Sequence, residues 1–138
     1  LLITVGFCSC GEFDMTWNNN PRNFTLQLLS EADDFTKKIT GEMLQQVVVR
    51  SPVDTSAYRS NHRVSIGSVD TSSDVNDTSN DAITKGIRTI QAGGGLGKIV
   101  HISNSLPYAT KLENGYSAQA PLGVYALSFR SVVERYRR

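Results

Sequence analysis

The chain has 138 residues, of which 39% are hydrophobic and 20% charged, and its formal net charge is +1 at pH 7. This length and composition are typical of one globular domain with a modest core. The near-neutral charge does not favour a nucleic-acid or membrane partner, and no apolar run approaches the roughly 20 residues of a membrane-spanning helix.

Residues 1–22 are predicted to be an N-terminal leader. The opening LLITVGFCSC is apolar, but no basic segment precedes it and no small-residue cleavage site follows, so it is a weak signal peptide. The codons of Gly11 and Glu12 can contain a ribosome-binding core, with Met15 just downstream. One hypothesis is that Met15 is the natural start and residues 1–14 are an upstream in-frame extension. The alternative is a genuine arm that packs on a neighbouring subunit.

The cysteines Cys8 and Cys10 both lie in this leader, separated by one residue. That spacing is poor for a disulfide, and no histidine lies near enough in sequence to complete a metal site. The sequence therefore predicts no metal centre at this pair, and it contains no other feature that implies a cofactor.

Residues 23–138 are predicted to form a single domain that begins with a long helix. We expect Asn23 to be its N-cap, after a lead-in loop at 18–22, and Pro52 to end it. Apolar residues recur along it at three- and four-residue steps, at Phe24, Leu28, Ala32, Phe35, Ile39, Met43 and Val47.

Two segments alternate between apolar and other residues and predict strands, NHRVSIGSV at 61–69 and KIVHISNS at 98–105. They contain both histidines, His62 and His101. A catalytic base also needs a group that orients it, so a packed or solvated role is the expectation for both.

The segment between the first strand and the next helix, residues 68–80, is polar and acidic and predicts a flexible loop. Asp74 and Asn76 fit the first two positions of a calcium-binding loop. However, no glycine stands at its sixth position, and Lys85 stands where a glutamate ligand is needed. Calcium binding is therefore not expected.

Three further elements complete the domain. Asp81 is the expected cap of a helix over 82–92, with Ile83, Ile87 and Ile90 as its apolar stripe and a closing Gly93. The following GGGLGK lacks the Ser or Thr of a phosphate-binding loop, since Ile99 takes that position. A short helix begins at Pro107 and ends at Gly115. A final helix after Pro121 has an imperfect stripe at Val124, Leu127, Val132, Val133 and Tyr136.

These elements predict an α+β fold in which a long N-terminal helix and a C-terminal helix pack on a small antiparallel sheet. Two strands alone make a marginal sheet, and a long helix with an apolar stripe needs cover. Ring oligomerisation, in which neighbouring subunits extend the sheet and cover the helix, would complete such a fold.

Three motifs stand in this domain. The first contains Pro52, Val53, Asp54, Thr55 and Arg59; the second contains Asn104, Pro107, Tyr108, Ala109, Leu112, Glu113 and Gly115; the third contains Gln119, Ala120, Pro121 and Gly123. In this order, over about residues 24–136, they resemble the head–tail joining or tail-completion proteins of the tailed-bacteriophage neck, also called minor tail proteins. Two positions depart from the family pattern. Ser56 replaces a preferred Gly, which puts a positive φ there in doubt, and Tyr58 replaces Leu.

The resemblance implies a structural virion protein with no enzymatic activity. It implies a homo-oligomeric ring, a hexamer, that contacts other neck and tail-tube proteins and lets DNA pass without sequence-specific binding. Assembly would take place in the cytoplasm of the host bacterium. In this interpretation Pro107 and Pro121 form a rigid elbow, and Tyr108 and Tyr116 present area for docking.

The loop at 68–80 has three possible roles in such a ring. Its acidic residues Asp70, Asp74 and Asp77 could face the lumen and repel DNA, or contact basic residues of an adjacent ring. The third possibility is a solvated outer loop without a role.

Other functions stay open at this point. The ring could be a tail terminator that caps the tail tube, or the chain could be a monomeric adaptor or regulatory module. A small hydrolase would need a nucleophile and a base in one pocket, and the sequence offers only two histidines and scattered acids.

Overall fold

The structure is a computed structural model that describes residues 20–53 and 56–137, and the backbone of 6–7 and 13–14. It forms two compact units that divide between Phe35 and Thr36. In the first unit, strands β1 (Gly6–Phe7) and β2 (Phe13–Asp14) pair antiparallel. All three motifs belong to the second unit.

Helix α1 (Pro21–Arg50) begins three residues earlier than the sequence predicted. The side-chain Oδ1 of Asn20 accepts a hydrogen bond from the Arg22 N–H at 3.1 Å, which is the bond of an N-cap. Pro21 then takes the first helical position, where its missing N–H has no partner to lose. The prediction that Asn23 caps this helix was therefore wrong. Pro21 and Arg22, which were expected in the lead-in loop, belong to the helix.

Helix α1 has buried residues only near its C-terminal end, and Val47 is the one member of the predicted stripe among them. Leu44, Val47 and Val48 are buried, whereas Leu28 and Phe35 of the expected stripe are exposed. The buried turns are those that face the two hydrophobic clusters of the second unit.

The predicted strands are confirmed, although both are shorter than expected. β3 (Arg63–Ile66) and β4 (Val100–Ser103) pair antiparallel, with Arg63 opposite Ser103 and Ile66 opposite Val100. His62 directly precedes β3, and His101 lies within β4. The sheet has these two strands and no third one among the described residues of the second unit.

In the described part of this unit, four shorter helices accompany the sheet, α2 (Ala57–Ser60), α3 (Ala82–Gly93), α4 (Ala109–Glu113) and α5 (Tyr125–Tyr136). The α+β architecture with a long N-terminal helix, a small antiparallel sheet and a C-terminal helix is thus as predicted. No helix in the described ranges combines the length and apolar character that crossing a membrane requires.

The isoleucine stripe predicted for α3 is only partly buried, because Ile90 is buried and Ile83 is half-buried in the core. The buried residues of α3 are Ala82, Gly86 and Ile90, and Ile87 is exposed. A Cβ on Gly86 would clash with Leu44 and lie 2.8 Å from Val64 Cγ2. Glycine therefore lets α3 approach α1 and β3 more closely than any other residue would allow.

Both ends of α3 also differ in detail from the prediction. Asp81 stands at the N-cap position, but its carboxylate pairs with Lys85 at 2.7 Å and accepts a bond from Ser79 instead of capping the backbone. The C-cap is Gly94, one residue beyond the expected Gly93.

The core of the second unit has two clusters. The elbow cluster consists of Val47, Tyr58, Leu106, Ala120 and Val124, with Ala109, Leu112 and Tyr125 packed against it. The sheet cluster consists of Leu44, Val48, Ala82 and Ile90, with Val64, Ile83, Val100 and Ile102 packed against it. Val47 and Val48, which are consecutive in α1, belong to different clusters, so this helix contacts both of them.

Candidate functional site

The three sequence motifs meet in one region, which we call the elbow (residues 52–59 and 104–124). The Val53 N–H donates to Gln119 Oε1 at 2.9 Å, which joins the first motif to the third. The Asn104 side-chain amide donates to the Tyr58 carbonyl at 2.8 Å. Tyr58 directly precedes Arg59, so this bond connects the second motif to the first. The motif residues Asp54 and Thr55 lie outside the described residues.

Glu113 holds the start of α5. Its Oε2 accepts hydrogen bonds from the N–H groups of Val124 and Tyr125, and its Oε1 accepts one from Ala126, all at 2.9 Å. These are N–H groups of the first helical turn, which have no partner inside the helix. The carboxylate of the second motif thus caps the helix that follows the third.

The pKa of Glu113 reflects both its burial and these hydrogen bonds. Partial burial raises this pKa, but the three backbone N–H donors outweigh burial and hold it below its usual value. The carboxylate is therefore ionised near neutral pH and also faces the positive end of the α5 dipole.

Two motif glycines allow the backbone segments of the elbow to approach. Gly115 has φ +86°, and a Cβ there would lie 2.5 Å from the Pro121 carbonyl oxygen. Gly123 has φ +80°, and its Cβ would lie 2.6 Å from the Glu113 carbonyl oxygen. Both positions combine a left-handed backbone with close contact, so only glycine fits without strain.

Ser56 has φ +58°, in the left-handed region, immediately before α2. The replacement of the preferred glycine by serine put this conformation in doubt, but the backbone keeps it. The elbow thus contains a strained non-glycine residue, held in place by the Ser60 N–H bond to its carbonyl at 2.9 Å.

The remaining motif residues have structural contacts. Arg59 donates from Nη2 to the Ser51 carbonyl at 3.2 Å, while its Nε is buried without a hydrogen-bond partner in the described chain. Asn104 Oδ1 accepts the Leu106 N–H at 3.2 Å in a local turn. Pro52 and Ala120 are buried, and Pro107 and Pro121 are exposed.

Behind the elbow, a row of hydrogen bonds joins Tyr125, His62, Ser51 and Val47. The Ser51 hydroxyl donates to the Val47 carbonyl at 2.7 Å, so it accepts from His62 Nε2 at 2.6 Å. The other ring nitrogen, Nδ1, then accepts from the Tyr125 hydroxyl at 2.7 Å. Each donor in the row has one acceptor, which assigns the neutral Nε2–H tautomer to His62.

Burial stabilises the neutral forms in this row. The side chain of His62 is 2% exposed, and burial together with nearby Arg59 lowers its pKa to about 4. Burial also raises the pKa of Tyr58 to about 12, with further contributions from Glu113 and Tyr108, and raises that of Tyr125. The Ser51 hydroxyl points its proton at a backbone carbonyl, so His62 serves as a packed residue that fixes α5 to the end of α1.

The outer surface of the elbow is apolar and aromatic. Tyr116 is 80% exposed and Leu122 is 75% exposed, and Tyr108 lies at the surface beside Tyr58. Tyr108, Leu112 and Tyr116 line a shallow cavity of about 550 Å³. Tyr108 immediately precedes α4, and Leu112 within α4 packs against the elbow cluster.

The loop at 68–80 has no helix or strand, but several side chains of the domain bond its backbone. Asn61 is fully buried, and its side chain both donates to the carbonyl and accepts from the N–H of Asp74, each at 2.7 Å. Ser103 donates to the Asp70 carbonyl at 2.8 Å, and the Asn80 N–H donates to Ser60 at 2.9 Å. The mobility of the loop stays a prediction, and these bonds mark the points at which it is attached.

The three aspartates of the loop stabilise local turns. Asp70, Asp74 and Asp77 each accept the N–H of the residue two positions on, at 2.9, 2.9 and 3.0 Å. Asp77 also lies 3.7 Å from Arg63. Among the described residues, no group of three potential metal ligands comes together.

The sequence did not predict the hydrogen-bonded side chains that connect the end of α1 to the start of α5. Ser51 and Tyr125 were not singled out, and His62 was assigned only a packed or solvated role. The signal for Tyr125 was its place at the start of the last helix, one position after the predicted stripe begins. No local pattern pointed to Ser51, because its partner lies 11 positions away.

Comparison with known proteins adds no relative. The chain matches no protein-family model, no curated protein and no solved structure.

Proposed function

We propose that this chain is a structural protein of the tailed-bacteriophage neck, a subunit of a ring that joins or completes the tail at the head–tail interface. The observation that carries the proposal is the convergence of the three motifs on one elbow. Their hydrogen bonds and glycines fix its shape, while large apolar side chains remain on its outer surface.

A fixed shape with exposed aromatic area is suited to docking. Tyrosine buries a large area on binding and loses few rotamers, so it contributes strongly to protein interfaces. Tyr116 and Leu122 are therefore the residues that we assign to contacts with neighbouring subunits or with another neck protein.

The proposal gives the polar row a structural role and assigns no reaction to the chain. His62 and Ser51 are bonded to each other, but the serine proton is directed to Val47 and the pair lies in the interior. A hydrolase would need this serine exposed to a substrate and free of that carbonyl.

The experiment uses a phage genome that carries this coding sequence, with the gene interrupted and supplied from a plasmid. We expect the double variant Tyr116→Ala/Leu122→Ser to fold like the wild type but to leave heads without attached tails in electron micrographs. The control is Ile99→Ser, which removes an apolar side chain that is also largely exposed but lies outside the elbow.

Restoration of normal particles by the elbow variant would overturn the assignment of this surface. Density for the chain placed anywhere other than the neck or tail of the particle would overturn the proposed function.

A further inference from the structure

A second apolar surface lies away from the elbow, between β4, α5 and the C-terminal half of α1. This groove has a volume of about 630 Å³ and is lined by Ile39, Met43, Val100, Ile102, Phe129 and Val133, among others. Phe129 is 61% exposed. An apolar groove of this size on a small domain marks a binding surface.

The backbone of β4 favours a polypeptide as the occupant. The Gly67 N–H donates to the Ile99 carbonyl at 2.9 Å, so the hydrogen-bonded pairs of the ladder are those at 99, 101 and 103. The N–H and C=O groups of Val100 and Ile102 therefore point away from β3, towards the free edge. No other strand in the described chain pairs with that edge, and a guest backbone could bond there.

The flanks of the groove are more basic than acidic. Arg137 lines the groove, and Lys38, Arg130 and Arg135 are neighbours in sequence of lining residues, as are Glu42 and Glu134. Arg135 pairs with Glu42 at 3.1 Å and Arg137 lies 3.7 Å from Glu134. Arg130 has no ion pair among the described residues, so the flanks keep positive charge that favours an acidic guest.

The acidic loop of this chain has the complementary features. The Asp77 N–H donates to the Asp74 carbonyl at 3.1 Å, which closes a turn with Val75 at its tip. Val75 is 56% exposed and is flanked by the two aspartates. The bonds from Asn61 to Asp74 hold this turn in place, so little conformational entropy would be lost on docking.

The turn and the groove lie on opposite faces of the sheet. The loop is bonded through Ser65 and Ser103, whereas Val64, Val100 and Ile102 pack on the sheet cluster. Neighbouring residues of a strand point to opposite faces, so the loop of a subunit does not reach its own groove. Two different patches on opposite faces are the arrangement that head-to-tail contacts require, and such contacts form a ring when the rotation between subunits closes.

We propose that Val75 of one subunit inserts into the groove of a second copy of this chain, with Asp74 facing Arg130 there. The inference rests on the proposed ring and names the contact that would build it.

Cysteine cross-linking tests this contact directly. In a background with Cys8→Ser and Cys10→Ser, Val75→Cys subunits are mixed with Val133→Cys subunits and mildly oxidised. We expect a disulfide-linked dimer from the mixture and none from either variant alone. A chain that carries both substitutions should give a ladder of covalent multimers on a non-reducing gel.

Association measurements give the energetic test. Val75→Ser should raise the concentration for half-assembly in sedimentation experiments about tenfold, as expected for the loss of one buried valine. Val69→Ser is the matched control, because Val69 is exposed in the same loop but outside the turn. Asp74→Asn keeps the acceptor of the turn, and Arg130→Gln removes the opposite charge. Each should weaken assembly, and their combined effect should be smaller than the product of the two.

These experiments distinguish failure of the docking contact from failure of the proposed ring. If the wild type assembles, but the mixture does not cross-link and Val75→Ser assembles normally, the docking proposal is wrong and the ring stands. A chain that stays monomeric at every concentration would overturn both. A lipid retained in the groove of the purified protein, detected by native mass spectrometry, would overturn the choice of occupant.

Discussion

The carboxylate of Glu113 occupies space that only a glycine at position 123 leaves open. A Cβ on Gly123 would lie 3.0 Å from Glu113 Oε1 and 2.6 Å from the Glu113 carbonyl oxygen. The second and third motifs therefore depend on each other, because the glycine admits the carboxylate and the carboxylate caps α5. Substitution of either residue should disturb the same three hydrogen bonds.

Loss of the Glu113 cap should lower stability. Glu113→Ala leaves three N–H groups of α5 without their acceptor, and we expect a loss of about 2–4 kcal/mol in the free energy of unfolding. The control Glu113→Gln keeps one acceptor and the shape of the side chain but removes the charge, so its loss should be smaller. Urea unfolding followed by circular dichroism measures both, and equal, small losses would show that the cap contributes little.

The stability should also fall in mild acid because of His62. The folded-state pKa is about 4, whereas the unfolded value is about 6.5, so the unfolded chain binds a proton in this range that the folded chain excludes. Stability from this source is complete above pH 6.5 and declines as the pH falls towards 4. Between pH 7 and 5 we expect a loss of about 2 kcal/mol.

The variant His62→Gln isolates this effect, since its side chain does not titrate. Its unfolding free energy should change much less than that of the wild type between pH 7 and 5. Parallel pH profiles for the two proteins would exclude His62 as the source. The Glu113 cap, whose folded pKa is lowered, contributes above its usual value near 4.5 and is lost only at lower pH.

The long helix, the two strands and the last helix were predictable because each extends over several residues of regular period. The start of α1 was missed because proline is typical of loops. Pro21 is expected at the first helical position only when Asn20 is recognised as the cap. The buried face of α3 was predicted only in part. Ile83 and Ile90 of the predicted stripe do pack in the core, but Gly86 and not Ile87 lies against Leu44.

The sequence singled out the motif residues of the elbow but did not predict their contacts. Glu113 bonds residues 11 to 13 positions away, and Gln119 bonds Val53 across 66 positions. Such pairs leave no periodic signal in one sequence. The groove was missed for the same reason, because its lining comes from α1, β4 and α5, which are far apart in the chain.

Two glycines in helices should respond in opposite ways to alanine. Gly86→Ala places a methyl group against Leu44 and Val64 in a packed core, and we expect a loss of about 1–2 kcal/mol after the gain in helix propensity. Gly41→Ala meets no atom within 4 Å and should stabilise the protein by up to about 1 kcal/mol. Thermal unfolding of both variants tests the close approach of α3, which similar values for the two would contradict.

Relief of the backbone strain at Ser56 should stabilise the elbow. Glycine adopts the observed left-handed conformation without a steric penalty, so Ser56→Gly should gain about 0.5–1 kcal/mol despite its greater freedom in the unfolded chain. Ser56→Ala removes the same hydroxyl but keeps the strain, and it should show no gain. If alanine stabilises as much as glycine, the effect belongs to the side chain and not to the backbone.

The loop at 68–80 should be tethered at Asp74 and freer on either side of it. The Asp74 N–H is bonded to the buried Asn61 side chain, whereas residues 71–73 are exposed. Hydrogen exchange in the wild type should therefore be slow at Asp74 and fast at Thr71 and Ser73. Asn61→Ala should remove the protection at Asp74 and leave that at Asp70, whose N–H is held separately by Ser65 at 3.1 Å. Uniformly fast exchange from 70 to 79 in the wild type would instead show a loop that is mobile throughout, and it would leave Val75 without the fixed position that docking requires.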